Sequence, residues 1–257
     1  MIGRTAVWTT IAWIVLIISG ASTTGVLRAP LTNSSVVSAS YQFHRFAGTV
    51  VGLLGLIQLT RVGRRSAWTW IGTGLVAGTI ALGWLSTRLL EPRTSAIHAF
   101  MAALTAVALF SVASASGLTA NLPRSRARWV TVSAQLAFGL VVAQVAVGAL
   151  LRHQQIGLTS HFLVGGLAVV TLLAPAVAVL QDPAAFAVER RAAQWAITAA
   201  IVQVGLGIAV LLMILIGPPS VAAWLTATVA HVTVGTLTLL ATARFALTLR
   251  PLPGVRQ

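Results

Sequence analysis

The chain has 257 residues, of which 57% are hydrophobic and only 8% are charged, and its mean hydropathy is +0.93. A water-soluble globular protein carries about 25% charged residues, so the composition predicts an integral membrane protein. All seventeen basic residues are Arg, against three acids, which gives a formal net charge of +14. Such a charge would indicate nucleic-acid binding in a soluble chain, but these Arg form short clusters between apolar runs, so nucleic acid is not an expected partner. The absence of Cys from the sequence excludes disulfides, iron–sulfur clusters and thiolate metal ligands.

Apolar runs predict eight transmembrane helices, because each span needs about 20 apolar residues. Eight such spans use nearly the whole chain, so no separate soluble catalytic domain is expected. The first run is too long for a cleaved signal peptide and is interpreted as a span. In chain order the predicted helices lie near residues 5–27, 43–61, 68–87, 96–120, 129–151, 160–180, 193–216 and 221–246.

The distribution of Arg between the apolar runs predicts how the protein is oriented in the membrane. Twelve of the seventeen Arg fall on the side that holds both termini, and five fall on the other side: Arg28, Arg45, Arg88, Arg93 and Arg152. Arg in short loops is retained in the cytoplasm. Both termini are therefore expected to be cytoplasmic, in a multi-pass protein of the inner (plasma) membrane.

The two halves of the chain resemble each other. Gly25-Val26-Leu27-Arg28 closes the first predicted helix, and Gly148-Ala149-Leu150-Leu151-Arg152 closes the fifth. The motif Gln144-Val145-x-x-Gly148 also recurs as Gln203-Val204-x-x-Gly207. A repeat of four spans returns the chain to its starting side, so the halves should be related by an axis along the membrane normal. The predicted fold is all-α, with two pseudo-symmetric four-helix bundles formed by residues 1–125 and 126–257.

Four of the five His lie toward the non-cytoplasmic ends of the even-numbered helices: His44, His98, His161 and His231. An ionisable residue inside a span is costly and needs a partner, so each is a candidate functional residue. Singly, each could be an interfacial side chain that bonds a carbonyl or water. Four at matching places predict a shared role, whereas His153 is expected in a loop.

The residue one turn after each of these histidines is small. Three are followed by Gly at i+4, and His98 is followed by Ala102; the glycines are Gly48, Gly165 and Gly235. Positions i and i+4 share a helix face, so a bare wall is predicted beneath each imidazole. A flat macrocycle whose iron binds the imidazole needs such clearance, which favours haem. The alternative is that small residues simply let helices approach.

The ligand set narrows the choice of metal. Paired imidazoles without Cys or nearby carboxylates suit haem better than zinc or a di-iron centre. Pairing within each half predicts His44 with His98 and His161 with His231 as metal ligands. Of the five outer Arg, Arg45 and Arg152 adjoin a His and are favoured to bind haem propionates, although ordinary interfacial Arg is an equal alternative. His231 lies seven residues beyond Trp224, so either the eighth helix protrudes or its haem lies deeper.

This arrangement resembles the heme A synthase family, the membrane proteins that convert heme O to heme A for cytochrome oxidase. The specific matches are His44-Arg45, the segment from Gly148 to His153, and His161 and His231 with their glycines. The resemblance implies haem b between His161 and His231, and heme O, heme A or a second haem at His44 and His98. It implies oxidation of the C8 methyl group of heme O to formyl, with electrons passed by the C-terminal haem. The partners it implies, besides the haem substrate and the lipid bilayer, are heme O synthase, cytochrome oxidase or another respiratory complex.

Two features depart from the family. Its members usually have Glu three residues before the first His, where this chain has Tyr41, which can form a hydrogen bond but is a poor base. The loop from Gln154 to Ser160 is short and lacks the Cys pairs of some members. Tyr41 is assigned to the catalytic site with His44 and His98, but the missing Glu keeps open a non-catalytic b-type cytochrome or electron-transfer subunit. A transporter or structural subunit is a weaker alternative, because Pro175 is the only clear internal helix breaker in the sequence.

Overall fold

The computed structural model describes residues 2–27, 34–62, 67–89, 92–115 and 127–249, and within these ranges all regular structure is helical. All eight predicted helices are present. They are α1 (Ile2–Leu27), α2 (Ser34–Val62), α3 (Ala67–Leu89), α4 (Pro92–Ala115), α5 (Arg128–Arg152), α6 (Leu158–Gln181), α7 (Ala187–Ile216) and α8 (Val221–Thr248).

Helix α7 begins six residues before the predicted position, because polar contacts organise its first turn. The Phe186 N–H donates to Glu189 Oε2 at 2.8 Å, and the Arg190 guanidinium donates to the carbonyl oxygens of Leu180 and Asp182. These bonds satisfy main-chain groups at the end of α6 and the start of α7. The segment is therefore helical although it is not apolar. The predicted end of the fourth helix at residue 120 lies outside the described residues.

Within the part of the chain that the structure describes, six helices contain a stretch long and apolar enough to cross a membrane: Ala39–Thr60, Pro92–Ser111, Arg128–Arg152, Leu158–Gln181, Ala187–Ile216 and Val221–Thr248. The other two contain shorter apolar stretches, Trp8–Thr23 and Trp70–Ser86. Large apolar side chains of α7, such as Ile208 and Leu215, are exposed. A continuous exposed apolar surface of this kind indicates contact with lipid, so the multi-pass membrane protein expected from the composition is supported.

Each half of the chain closes into a ring of four helices. Helices α1 to α4 pack successively, and α4 returns to α1; α5 to α8 repeat this order, and α8 returns to α5. The halves meet where α8 packs against α1 and α4, and where α4 packs against α5. The predicted boundary at residues 125 and 126 lies outside the described part of the chain.

The buried apolar cores lie at one end of the two rings. Trp13, Leu59 and Leu109 belong to the core of the first half, and Leu172 and Phe245 belong to that of the second. Leu59, Leu109 and Phe245 lie toward the C-terminal ends of α2, α4 and α8, away from the histidine of the same helix. The end of each ring that is far from the histidines is thus filled mainly by apolar side chains.

Candidate functional site

The structure brings four histidines together as two pairs. The ring centroids of His44 and His98 are 6.4 Å apart, and those of His161 and His231 are 6.2 Å apart. Two imidazoles bound to opposite sides of one metal ion have centres about 6 Å apart, because each metal–nitrogen bond is about 2 Å long. The pairs are those predicted from the sequence, and their separation suits a shared metal.

The hydrogen-bond partners of the N-terminal imidazoles lie at Nδ1. Ser19 Oγ is 2.8 Å from the Leu16 carbonyl oxygen, to which it can donate, and 2.8 Å from His44 Nδ1; both contacts are hydrogen bonds at the same time when Nδ1 carries the proton. His98 Nδ1 lies 3.0 Å from the Thr79 carbonyl oxygen, which can only accept. His98 therefore carries its proton on Nδ1, and the same tautomer of His44 satisfies Ser19. In this tautomer the lone pair of Nε2 is left for a metal.

The C-terminal imidazoles have amide partners instead. Gln144 Nε2 lies 3.1 Å from His161 Nδ1 and 3.2 Å from its Nε2, and Gln203 Nε2 lies 3.3 Å from His231 Nε2. An amide has both a donor and an acceptor end. The amides therefore hold the rings in place. Because an amide can donate or accept, they do not determine which imidazole nitrogen carries the proton, whereas a main-chain carbonyl does.

Each imidazole packs against a glycine of the preceding odd-numbered helix. A Cβ built on that glycine would lie 2.8 to 3.3 Å from the Cε1 atom of the ring, closer than ordinary van der Waals contact. The pairs are Gly20 with His44, Gly83 with His98, Gly148 with His161, and Gly207 with His231. The unit that repeats is thus a two-helix hairpin, present four times. Gly20, and not Gly25 of the repeat seen in the sequence, corresponds to Gly148.

The glycines that follow the histidines at i+4 face side chains of the preceding helix. A Cβ on Gly165 would lie 2.9 Å from Gln144 Nε2, and one on Gly235 would lie 3.1 Å from Gln203 Nε2. Gly48 faces the Leu16 side chain, 3.7 Å from such a Cβ. The bare wall predicted beneath His161 and His231 is therefore filled by the amides, because antiparallel packing places Gln opposite each glycine. A porphyrin-binding role for the three glycines stays a prediction.

Tyr41 and Arg45 interact with each other. The Arg45 guanidinium carbon lies 5.9 Å from the centroid of the Tyr41 ring, a cation–π contact between residues one turn apart. Arg45 is exposed and Tyr41 is half-buried. The aromatic ring three residues before His44 thus packs against the Arg that follows it.

Arg152 connects the two halves. Its guanidinium donates to the carbonyl oxygen of Ala21, next to the glycine that contacts His44. Arg93 Nε likewise donates to Gln155 Oε1 at 3.1 Å, from α4 to the loop after α5. His153 lies at the C-terminus of α5, where its N–H donates to the Ala149 carbonyl. Arg28 and the Arg88 side chain lie outside the described residues.

The position of His231 favours one of the two predicted explanations for its depth. His231 is the eleventh residue of α8, whereas His161 is the fourth of α6, yet their rings are neighbours. Helix α8 therefore begins about 10 Å farther out than α6, at 1.5 Å per residue. The start of α8 thus extends beyond the start of α6, and the two imidazoles lie at one level.

Among the described residues, no group of three or more His, Cys, Asp or Glu side chains could hold a metal ion. A site built wholly from protein ligands needs such a group. Haem does not, because the porphyrin supplies four ligands and the protein supplies one or two axial ones. Two imidazoles per half are therefore enough axial ligands for a haem iron, whereas a zinc site needs at least one more protein ligand.

Sequence reasoning missed Ser19 and Thr79, and it treated Gln144 and Gln203 only as marks of a repeat. The recurring Gln-Val-x-x-Gly motif was the available signal, but its contact with His requires the packing of two helices. No protein-family model matches this chain, and no curated protein matches its sequence. The resemblance to heme A synthases thus rests on the chain's own residues and stays a prediction.

Proposed function

We propose that this chain is a haem-binding membrane oxidoreductase of the heme A synthase type, which oxidises the C8 methyl group of heme O to formyl. The observation that carries the proposal is that each half contains two neighbouring imidazoles. Their ring centroids are 6.4 Å apart in the N-terminal half and 6.2 Å apart in the C-terminal half. We place it in the inner membrane, as eight spans in two pseudo-symmetric bundles with both termini cytoplasmic. Heme O synthase and cytochrome oxidase are its proposed partners.

The two halves would divide the work. His161 and His231 would hold haem b, which supplies electron transfer. His44 and His98 would hold the substrate, and their Nδ1 bonds to Ser19 and the Thr79 carbonyl would keep each ring fixed. Fixed rings keep the reacting methyl group at a constant place in an apolar bundle, which is what the protein contributes to this chemistry.

A second candidate function is a non-catalytic b-type cytochrome or an electron-transfer subunit of a respiratory complex. The observation that favours it is Tyr41, whose ring packs against Arg45 where the family has Glu. A phenol does not supply the carboxylate that the family has at this position. Haem binding does not depend on this residue, so both candidates share the same ligands.

Two measurements test the proposal. A reduced-minus-oxidised spectrum of the purified protein should show b-type bands, with His153→Ala as a control that leaves both pairs intact; a protein without such bands is neither an enzyme of this type nor a cytochrome.

Haems are then extracted from cells that make heme O, with and without this chain. Heme A or its hydroxylated precursor only in cells with the chain supports the enzyme, and unchanged heme O supports the cytochrome.

A further inference from the structure

We infer that Gln144 and Gln203 are positioning residues of the C-terminal histidine pair, and that their amides set how strongly His161 and His231 donate electrons to a bound iron. The inference rests on the proposed haem site and concerns how that site is tuned. It assigns a role to the Gln-Val-x-x-Gly repeat, which the proposed function leaves without one.

The glycines around Gln144 and Gln203 leave room for each amide to contact an imidazole. Each Gln lies four residues before the glycine that accommodates the ring, and each amide lies against the glycine that follows the His. Any side chain at Gly165 or Gly235 would displace the amide, since its Cβ would be 2.9 or 3.1 Å from Nε2. The two glycines on each hairpin thus hold one amide and one imidazole side by side.

The unsatisfied polar atoms indicate what this contact is for. Oε1 of Gln144, Oε1 of Gln203 and Nδ1 of His231 are buried, and none has a hydrogen-bond partner among the described residues. A buried polar atom without a partner costs free energy. An imidazole that gives one nitrogen to a metal carries a proton on the other and needs an acceptor. An amide oxygen is such an acceptor, and rotation of the last torsion of the amide exchanges its oxygen and its nitrogen. At Gln203 this rotation would place Oε1 against His231 Nε2, which lies 3.3 Å from the amide nitrogen, and the unpartnered Nδ1 would then be the nitrogen available to a metal.

The N-terminal half shows that helix packing alone does not require glutamine here. Leu16 occupies the place of Gln144, four residues before Gly20, and Thr79 occupies the place of Gln203, four residues before Gly83. The imidazoles there bond a hydroxyl and a main-chain carbonyl instead. The amides are therefore a feature of the C-terminal pair, where the proposed electron-transfer haem lies.

The test compares Gln203→Leu with Gln203→Glu, and Gln144→Leu with Gln144→Glu, in the full-length haem-loaded protein. An acceptor on the free N–H of an axial His favours ferric iron. Leu should therefore raise the reduction potential of one haem, and Glu, a stronger acceptor, should lower it. We expect about a tenfold change in the reduction equilibrium constant in each direction, which is about 59 mV for one electron. Gln58→Leu, at a buried glutamine outside both pairs, is the control and should leave both potentials unchanged.

The outcomes separate this inference from the proposed function. A wild-type protein that binds no haem overturns the proposed function. Haem-loaded variants whose potentials equal the wild-type value, or shift in the same direction for Leu and Glu, overturn the inference alone. If the Leu variants lose haem, the Glu variants decide, because a lowered potential supports the inference and an unchanged one contradicts it.

Discussion

The two histidine pairs have nearly the same ring separation but different hydrogen-bond partners. In the N-terminal half the partners are Ser19 and the main-chain oxygen of Thr79, and both contacts are satisfied when the imidazole proton is on Nδ1. In the C-terminal half they are Gln144 and Gln203, whose amides can donate or accept. One hairpin scaffold thus presents two kinds of imidazole, and the difference comes from side chains on the odd-numbered helices.

The largest effect on haem binding is expected when one histidine of a pair is removed. We expect His161→Ala and His231→Ala each to abolish the C-terminal haem, because an axial imidazole is lost and its partner is left alone. Haem per protein is measured from the spectrum of the pyridine complex, with His153→Ala as the control. Full haem content in both variants would refute the assignment of this pair.

Adding a methyl group at the glycines that contact the imidazoles should weaken haem binding less than the loss of a ligand, and to a different extent in the two halves. Gly20→Ala and Gly83→Ala place a Cβ 2.8 and 2.9 Å from the imidazoles, against 3.3 Å for Gly148→Ala and 3.2 Å for Gly207→Ala. The N-terminal rings must move more, so we expect haem binding there to weaken about tenfold and binding in the C-terminal half to weaken less. Haem titration measures this. Gly74→Ala, which has open space around the new atom, is the control.

Arg152 tests how the halves are held together. Its bond to the Ala21 carbonyl joins α5 to α1, and a hydrogen bond from a charged group contributes about 1.5 to 3 kcal/mol. We expect Arg152→Ala to lower the unfolding temperature in detergent. The exposed Arg191→Ala should leave it unchanged. Equal unfolding temperatures for the two variants would argue against this link.

The smallest effect is expected at Thr79. Thr79→Val removes a 2.9 Å contact between the Thr79 and Thr105 hydroxyls, but it keeps the main-chain oxygen that bonds His98. Thr105 retains the Met101 carbonyl as a partner, so the loss in unfolding free energy should be no more than about 1 kcal/mol. Haem content and absorption bands should not change. A changed N-terminal spectrum would show that the hydroxyl, and not the carbonyl, controls the ring.

Much of the fold could be predicted from local patterns. The eight helices follow from eight apolar runs, and within the described residues six of these helices are long and apolar enough to span a bilayer. The polar start of α7 could not be predicted in this way, because it depends on Glu189 and Arg190 satisfying main-chain groups of two helices. The glycines after the histidines were correctly placed on the histidine face, but the side chains opposite them were not foreseeable.

The sequence by itself determined the class of the protein, its eight helices and the four histidines on the even-numbered helices, because hydropathy and helical period act along the chain. Only the tertiary structure decided that Gln144 lies against Gly165, that Ser19 bonds His44, and that Arg152 reaches Ala21. These contacts depend on the register between antiparallel helices, and Arg152 and Ala21 are 131 residues apart. Register is set by side-chain packing across helices, which no pattern along one helix contains.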